Sequence, residues 1–298
     1  MKDRIEALKK ERNAVVLAHN YQPPEIQDLA DLCGDSLELS IRAAETDAEV
    51  IVFCGVRFMA ETASILSPEK TVLLPSPDAG CPMADTVTAE ALAAKKAQHP
   101  LLPVVTYVNS TAEVKAISSI CCTSANAEAV LNSLPDDELI MVPDRNLARY
   151  AAAKTGKKVH PWDGFCPYHD RLAISEVKAA RRAHPGALFM AHPECRPEIL
   201  DAADVVTSTS GMLRYARESK AREFIVGTEV GLLYPLQKEN PEKRFFPASE
   251  KMYCADMKKI SMTDLVRCLE ELTGEVKVPE KVRDPAYQAV KRMLDLSA

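Results

Sequence analysis

Short apolar runs alternate with amphipathic segments along this chain, and no other feature restricts its possible folds as strongly. Residues 15–18, 50–53 and 72–74 are apolar runs typical of strands that are buried on both faces of a parallel sheet. Residues 36–46 lie between the first two runs, and their apolar positions share one side of a predicted helix. This alternation predicts an α/β fold in which sheets and helices form layers.

The same order of elements continues along the rest of the chain. Further strands are predicted at residues 102–108, 139–142, 158–159, 188–191, 224–226 and 245–246. Further helices are predicted at residues 124–134, 146–154, 174–184 and 211–219. We therefore expect consecutive units that each contain three strands joined by two helices.

An internal repeat divides the chain into three such units. Five landmarks recur in the same order at intervals of 84 to 88 residues: a polar residue at a strand end (His19, Tyr107, His192), a polar residue two positions later (Tyr21, Asn109, Glu194), a hydroxyl residue further on (Ser36, Ser124, Thr209), a second strand end (Gly55, Pro143, Gly227) and a cysteine (Cys81, Cys166, Cys254). Five landmarks in register are hard to obtain without triplication. We predict three similar three-layer αβα domains in a pseudo-threefold arrangement, at residues 1–84, 85–168 and 169–257, with C-terminal helices at residues 258–298 joining the first domain.

The landmarks stand where parallel sheets bind ligands, beyond the carboxyl ends of the strands. Residues at positions i and i+2, such as His19 and Tyr21, leave the same face of an extended segment. The hydroxyl residues Ser36, Ser124 and Thr209 fit N-cap positions, and a helix N-terminus binds carboxylate or phosphate through its free N–H groups. Three such helix ends around one axis predict a central cavity for a small polyanionic substrate.

The nine cysteines do not all serve one purpose. The charged N-terminus argues against a secretory signal, so we expect a cytoplasmic chain in which structural disulfides are rare. Most cysteines in apolar stretches are small core residues, and this interpretation is applied to Cys33, Cys54, Cys121, Cys122 and Cys268. Cys195 stays open between core packing and a role in the site. One cysteine per unit, converging on the axis, suits an iron or zinc centre with one position open to a substrate oxygen.

Several common functional classes are excluded by the sequence. It contains no glycine-rich dinucleotide or phosphate loop, no G-x-S-x-G, no H-E-x-x-H and no C-x-x-C. The net charge of −6 does not favour binding to nucleic acid or to an anionic membrane, and every apolar run is too short to cross a bilayer. We therefore expect a small-molecule substrate, without a nucleic-acid or membrane partner.

Eight short segments occur together in one known family. They are LAHNYQ at residues 17–22, GDS at 34–36, GCPMA at 80–84, YVNS at 107–110, CTSANA at 122–127, PDRNL at 143–147, HPEC at 192–195 and GTE at 227–229. With this combination the chain resembles quinolinate synthase from about residue 15 to 260. The match covers most of the chain, and its specificity comes from the combination rather than from any single segment.

The resemblance implies a fold, a reaction and a cofactor. It implies three similar α/β domains around a central site, and a transferase that condenses iminosuccinate (iminoaspartate) with dihydroxyacetone phosphate. The products would be quinolinate, phosphate and two waters, in de novo NAD biosynthesis. One [4Fe–4S] cluster would be held by Cys81, Cys166 and Cys254. A cytoplasmic location and functional coupling to an aspartate-oxidising enzyme, which supplies iminosuccinate, are also implied.

The resemblance further assigns roles to individual residues. Catalytic roles fall to Tyr21, Glu194, His19 and Tyr107. Contacts with iminosuccinate and quinolinate fall to His19, Ser36, Tyr107, Val108, Asn109, Ser124, His192, Pro193, Glu194 and Thr209. Two departures from the family pattern, Asp256 after the third cysteine and Tyr168 after the second, remove no ligand.

Two alternative functions remain at this point. A zinc-dependent hydrolase or lyase could use Cys166, His169, His192 and Cys195, and a small-anion sensor would bind a dicarboxylate without turning it over. His160, His169 and His184, taken singly, are more typical of ordinary hydrogen-bonded polar residues. Arg145 is left between an ion pair and a contact with substrate.

Overall fold

The protein is described by a computed structural model covering residues 1–297, and its strands form three separate parallel sheets of four strands each. The first sheet contains β1 (Ala14–His19), β2 (Leu32–Gly34), β3 (Val50–Cys54) and β4 (Thr71–Leu73). The second contains β5 (Val104–Tyr107), β6 (Ile120–Cys122), β7 (Glu138–Val142) and β8 (Lys158–Pro161). The third contains β9 (Leu188–Ala191), β10 (Val205–Val206), β11 (Glu223–Gly227) and β12 (Arg244–Pro247). The predicted α/β class is confirmed.

All three sheets have the same strand order, which is second, first, third and fourth in sequence. Strand β1, for example, pairs with β2 on one side and with β3 on the other, with Leu17 opposite Leu32 and Phe53. The first strand of every unit is therefore the point where the chain reverses its direction across the sheet. Ligands of open α/β sheets bind at this point, beyond the carboxyl ends of the strands.

The prediction of three strands per unit is wrong by one. The second strand of each unit is an edge strand of only two or three residues, as in Val205–Val206, which pairs with Met190 and Ala191. A run this short carries no hydrophobic periodicity of its own. Its strand conformation depends on hydrogen bonds to the neighbouring first strand, so tertiary structure decides it.

Helices follow most strands and cover the sheets, consistent with three αβα layers. They are α1 (Lys2–Glu11), α2 (Pro24–Gln27), α3 (Ser36–Glu45), α4 (Arg57–Leu66), α5 (Ala89–Gln98), α6 (Ala112–Ala116), α7 (Ala127–Ser133), α8 (Arg145–Thr155), α9 (Pro167–Asp170), α10 (Ile174–Ala183), α11 (Pro197–Leu200), α12 (Thr209–Glu218), α13 (Leu233–Glu239), α14 (Met262–Glu271) and α15 (Glu280–Asp295). Short 3-10 turns lie at Ala84–Thr86, Val230–Leu232 and Asp256–Lys258. None of the helices in residues 1–297 is long and apolar enough to cross a membrane.

The C-terminal helices contact more than one unit. Helix α14 packs on α1, whereas α15 packs on α4 of the first unit and on α6 and β6 of the second. The segment between α14 and α15 contacts the first sheet, because Glu275 forms an antiparallel bridge with Leu73 of β4. The domain boundaries proposed from the repeat stay a prediction.

The strands are rigid supports for the residues at their ends. Val16, Leu17, Ile51 and Val52 have no measurable exposure, and the core of the first sheet continues into those of its neighbours. Close-packed interiors of this kind resist displacement, so a side chain at a strand end has a fixed starting position. The polar residues at the strand ends are held in position in this way.

Candidate active site at the ends of the three sheets

A cavity that is partly open to solvent lies where the carboxyl ends of the three sheets meet. Its wall includes the residue at or just after the end of each unit's first strand: His19 is the last residue of β1, Tyr107 is the last residue of β5, and His192 directly follows β9. The other predicted site residues that line it are Tyr21, Ser36, Asn109, Ser124, Glu194, Thr209, Cys81, Cys166 and Cys254. Val108 and Pro193 are buried next to these residues but do not line the cavity.

The three hydroxyl residues do not occupy the predicted N-cap positions. Ser36 and Thr209 are the first residues of α3 and α12, and the caps are Asp35 and Ser208, one residue earlier. Ser124 lies in the turn that precedes α7. The prediction is wrong because the preceding residues supply the capping oxygens: Asp35 accepts from the amides of Leu37 and Glu38, and Ser208 from that of Gly211. The Ser36 and Thr209 hydroxyls are thereby released from capping.

His19 and His192 are held in the same way in two different units. The Nδ1 atom of His19 accepts a hydrogen bond from the amide of Tyr21 at 3.1 Å, and Nδ1 of His192 accepts from the amide of Glu194 at 3.4 Å. An Nδ1 that accepts leaves the proton on Nε2, which can donate to a ligand. Burial is the main reason why the pKa of each imidazole falls to about 3, so both rings are neutral near pH 7.

Five buried side chains form a continuous hydrogen-bonded relay across the cavity. Tyr107 donates its hydroxyl to Oε1 of Glu194 at 2.6 Å, and Oε2 of Glu194 lies 2.8 Å from Nδ1 of His169. Nε2 of His169 lies 2.8 Å from the Thr228 hydroxyl, which lies 2.6 Å from the hydroxyl of Tyr21. A hydroxyl, an imidazole and a carboxylate in this order form the arrangement with which enzymes activate a hydroxyl group.

The phenols at the two ends of the relay differ in ionisation from the carboxylate within it. Burial, followed by the charge of Glu194, raises the pKa values of Tyr21 and Tyr107 well above 10. Burial also opposes ionisation of Glu194, but His169, His192 and the Tyr107 hydroxyl outweigh it and lower its pKa to about 2. The relay therefore joins an ionised carboxylate to two protonated phenols near pH 7.

Sequence reasoning missed two members of this relay. The sequence indicates for His169 an ordinary polar residue or one ligand of a zinc site, and it distinguishes Thr228 only as part of the GTE segment. Both are buried, at 2% and 1% exposure. One available signal was the position of His169 three residues after a landmark cysteine. The hydrogen bond between His169 and Thr228 joins residues 59 positions apart, so no local sequence pattern encodes it.

Cys81, Cys166 and Cys254, one from each unit, line the same cavity. Burial raises the pKa of Cys81 to about 12, that of Cys254 to about 11 and that of Cys166 well above 9. In each case the backbone N–H groups two and three residues later hydrogen-bond the sulfur and act in the opposite direction, as Met83 and Ala84 do for Cys81. The same local shape is thus repeated three times, and it is suited to holding thiolate sulfur.

Buried carboxylates fix two of these cysteine loops. Asp144 accepts from the amide of Cys166 at 3.1 Å, and Glu229 accepts from the amide of Cys254 at 3.1 Å. Both carboxylates are 1% exposed. Glu229 also pairs with Lys258 at 2.9 Å, and Lys258 donates to the backbone carbonyl of Tyr21. The third cysteine loop is therefore connected to the loop that carries Tyr21.

The remaining cysteines do not reach the cavity. Cys195 has no exposure, packs in a core cluster of the third unit and points its sulfur at the carbonyl of Gly227. This resolves Cys195 as a core residue, and it removes one ligand from the predicted zinc set of Cys166, His169, His192 and Cys195. Cys54, Cys121, Cys122 and Cys268 are buried as predicted, whereas Cys33 is only partly buried.

Arg145 belongs to the support of the site. Its guanidinium pairs with Asp163 at 2.9 Å and with Asp170 at 3.3 Å, and it stacks on the ring of Phe165. These partners lie on the segment that carries Cys166. Of the two interpretations left open, the structure shows the ion pair.

Comparisons with known proteins agree with one another. Residues 3–295 match the family model described as NadA, quinolinate synthetase A protein. A protein of Geotalea uraniireducens named quinolinate synthase is 58% identical over 294 residues, which cover 99% of this chain and 97% of that protein. Proteins with the same name from Thermodesulfovibrio yellowstonii and Methanoregula boonei are 54% and 55% identical, over 99% of this chain and 97% and 98% of their own lengths.

Proposed function

This chain belongs to the quinolinate synthetase A protein family, and from that premise we propose that it condenses iminosuccinate with dihydroxyacetone phosphate in NAD biosynthesis. The products are quinolinate, phosphate and two waters, so the reaction is a transfer followed by dehydration. The single observation that supports this most is the meeting of one cysteine from each unit with the Tyr21–Thr228–His169–Glu194 relay in one cavity.

The donor set fits one [4Fe–4S] cluster. Cys81, Cys166 and Cys254 supply three sulfur ligands, and each sulfur is already approached by two backbone N–H groups, as thiolate and cluster sulfur require. When bound, a cluster with three protein ligands supplies an iron that acts as a Lewis acid toward substrate oxygen. The carboxylates of Asp144 and Glu229 would hold the second and third cysteine loops in place.

Neutral donors bind the anionic groups of both substrates in this proposal. No lysine or arginine is found among the cavity-lining residues in the described part of the chain. Ser36 and Thr209 stand at the N-termini of ten-residue helices, where free N–H groups and the positive end of the helix dipole favour carboxylate and phosphate. The Ser124 hydroxyl and the Nε2 protons of His19 and His192 complete the set of donors.

The relay moves protons between carbon and oxygen during isomerisation, imine formation and loss of water. Tyr21 lines the cavity, and its hydroxyl gives its proton to Thr228, which passes its own proton to Nε2 of His169. The Glu194 carboxylate stabilises the imidazolium that results. Reversal of these transfers returns a proton to Tyr21, which then protonates a departing hydroxyl. His19, with its pKa of about 3, binds substrate in this scheme as a hydrogen-bond donor.

The proposal includes the setting of the reaction. The enzyme works in the cytoplasm on small molecules, without nucleic acid or membrane, and is functionally coupled to an aspartate-oxidising enzyme that supplies iminosuccinate. Reducing conditions there keep the nine cysteines out of disulfides, and none forms a disulfide in the structure.

The test is anaerobic purification with metal and sulfide analysis of cysteine variants. Wild-type protein should contain about four irons per chain and a brown chromophore. Cys81→Ala, Cys166→Ala and Cys254→Ala should each lose the chromophore and quinolinate formation, whereas Cys268→Ala, a buried cysteine elsewhere, should keep both. A full cluster in any of the first three variants would refute the ligand assignment, and zinc-free wild-type protein that forms no cluster with added iron and sulfide would refute the proposal.

A further inference from the structure

Three ligand types converge at one side of the cavity. They are Sγ of Cys166, Nδ1 of His169 and a carboxylate oxygen of Glu194, all within 4.8 Å of one another. The sulfur lies 3.1 Å from Nδ1 of His169, which lies 2.8 Å from Oε2 of Glu194. Ligands around a tetrahedral ion are separated by roughly 3.4–3.6 Å, given metal–ligand distances of about 2.0–2.3 Å. A shift of about half an ångström would therefore admit an ion.

We propose that Cys166, His169 and Glu194 form a zinc site that competes with the cluster and thereby inhibits the enzyme. One thiolate, one imidazole and one carboxylate are a mixed set that suits zinc, and the series of divalent metals places zinc above ferrous iron for such ligands. Three protein ligands leave a fourth position, which faces the cavity and would take water or a substrate oxygen.

The surroundings of the three ligands are already those of a metal site. His169 directs its other ring nitrogen at the Thr228 hydroxyl, 2.8 Å away, which fixes the orientation of the ring. The second oxygen of Glu194 accepts from Tyr107 at 2.6 Å. Metal-binding histidines and carboxylates are oriented by outer partners of this kind. All four of these side chains are buried, and Cys166 is partly buried.

Zinc in this position would interrupt two parts of the proposed function at once. It would take Cys166 away from the cluster, leaving only Cys81 and Cys254. It would also replace the contact between His169 and Glu194, through which the relay passes. This inhibition rests on the proposed function, but binding of zinc to the three ligands does not.

The binding test uses the full chain after anaerobic chelation of iron, with zinc chloride and a competing chromogenic chelator. Wild-type protein should bind one zinc that survives gel filtration. His169→Asn and Glu194→Gln should weaken binding by roughly 100-fold or more, since loss of an outer partner alone costs about 10–100-fold. The double variant Cys81→Ser/Cys254→Ser is the matched control and should bind zinc as wild type does. Circular dichroism of each variant shows whether it is folded.

Each outcome decides the proposal. Zinc that is lost in the Cys81→Ser/Cys254→Ser control, but kept in His169→Asn, would place the metal among the cluster cysteines and overturn it. Absence of bound zinc in wild type would overturn it as well. A second measurement adds iron and sulfide to zinc-loaded and zinc-free protein. Cluster formation only in the zinc-free sample supports competition, whereas cluster formation in both refutes it. If no cluster forms in either sample, the proposed function is refuted, and the zinc-binding test alone decides whether the zinc site exists.

Discussion

Removal of the Thr228 hydroxyl tests the relay at its centre. Thr228 is 1% exposed and its Oγ1 atom connects Tyr21, at 2.6 Å, to His169, at 2.8 Å. Thr228→Val keeps the shape of the side chain and deletes only this connection. Because Tyr21 then has no path to an acceptor, proton transfer should fail, and kcat should fall by about 10²- to 10⁴-fold. KM should change little, since the proposed substrate donors are other residues.

The same substitution has a cost in stability that must be separated from its effect on catalysis. It leaves the Tyr21 hydroxyl and the His169 nitrogen without a partner, at roughly 1–3 kcal/mol each in the free energy of unfolding. Thr106→Val is a matched control, because Thr106 is also fully buried and its hydroxyl forms a hydrogen bond with that of Ser118, away from the cavity. It should lose stability and keep kcat. Thr228→Ser, which restores the hydroxyl, should recover most of the activity.

The assay is the steady-state formation of quinolinate by protein purified anaerobically, normalised to iron content and accompanied by urea unfolding. The reasoning predicts a loss of kcat in Thr228→Val at normal iron content and normal fold. If that variant turns over within about threefold of wild type at equal iron content, the relay is not the path of the proton.

The other predictions concern the residues around the relay. Glu194→Gln should still bind substrate but turn over at least about 100-fold more slowly, because glutamine cannot stabilise the imidazolium of His169. A kcat equal to that of wild type in steady-state measurements would exclude this role of Glu194. Glu229→Gln should lose iron to a chelator roughly 10-fold faster than wild type, since the Cys254 loop loses its ionic support. Glu61 is a buried carboxylate that accepts from the amide of Ala112, and Glu61→Gln should lose iron no faster than wild type. Equal rates in the two variants would show that Glu229 does not support the Cys254 loop. The pKa of His192 is lowered from 6.5 to about 3, so between these values only the unfolded chain takes up the proton and stability rises with pH. His192→Asn should flatten this rise by up to about 1.4 kcal/mol per pH unit in urea titrations, and an unchanged slope would mean that the imidazole is protonated in the folded protein.

The sequence predicts much of the fold because its signals are local. Continuous apolar runs such as residues 50–53 form strands such as β3, and the amphipathic residues 174–184 form a helix within one residue of its predicted end. Edge strands such as β10 escape prediction because two residues carry no period, and their conformation depends on pairing with β9. The N-caps are displaced by one residue, since Asp35 and Ser208 compete with their neighbours for the same amides.

The repeat also predicts which polar residues share a region of the molecule. A residue at the end of a buried strand has its position set by the sheet, and an interval of 84 to 88 residues gives each unit an equivalent residue. His19, Tyr107 and His192 therefore line one cavity. Val108 and Pro193, adjacent to such residues in sequence, point elsewhere because successive side chains in extended segments alternate in direction.

What the sequence by itself determined is the triplicated α/β pattern, the three cysteines in register and the family to which the chain belongs. What only the tertiary structure decided is the chemistry between units: the contact of His169 with Thr228, the ionised state of Glu194 and the withdrawal of Cys195 into the core. The physical reason is that periodicity and capping act over a few residues, whereas hydrogen bonds and pKa values depend on which atoms meet across the cavity.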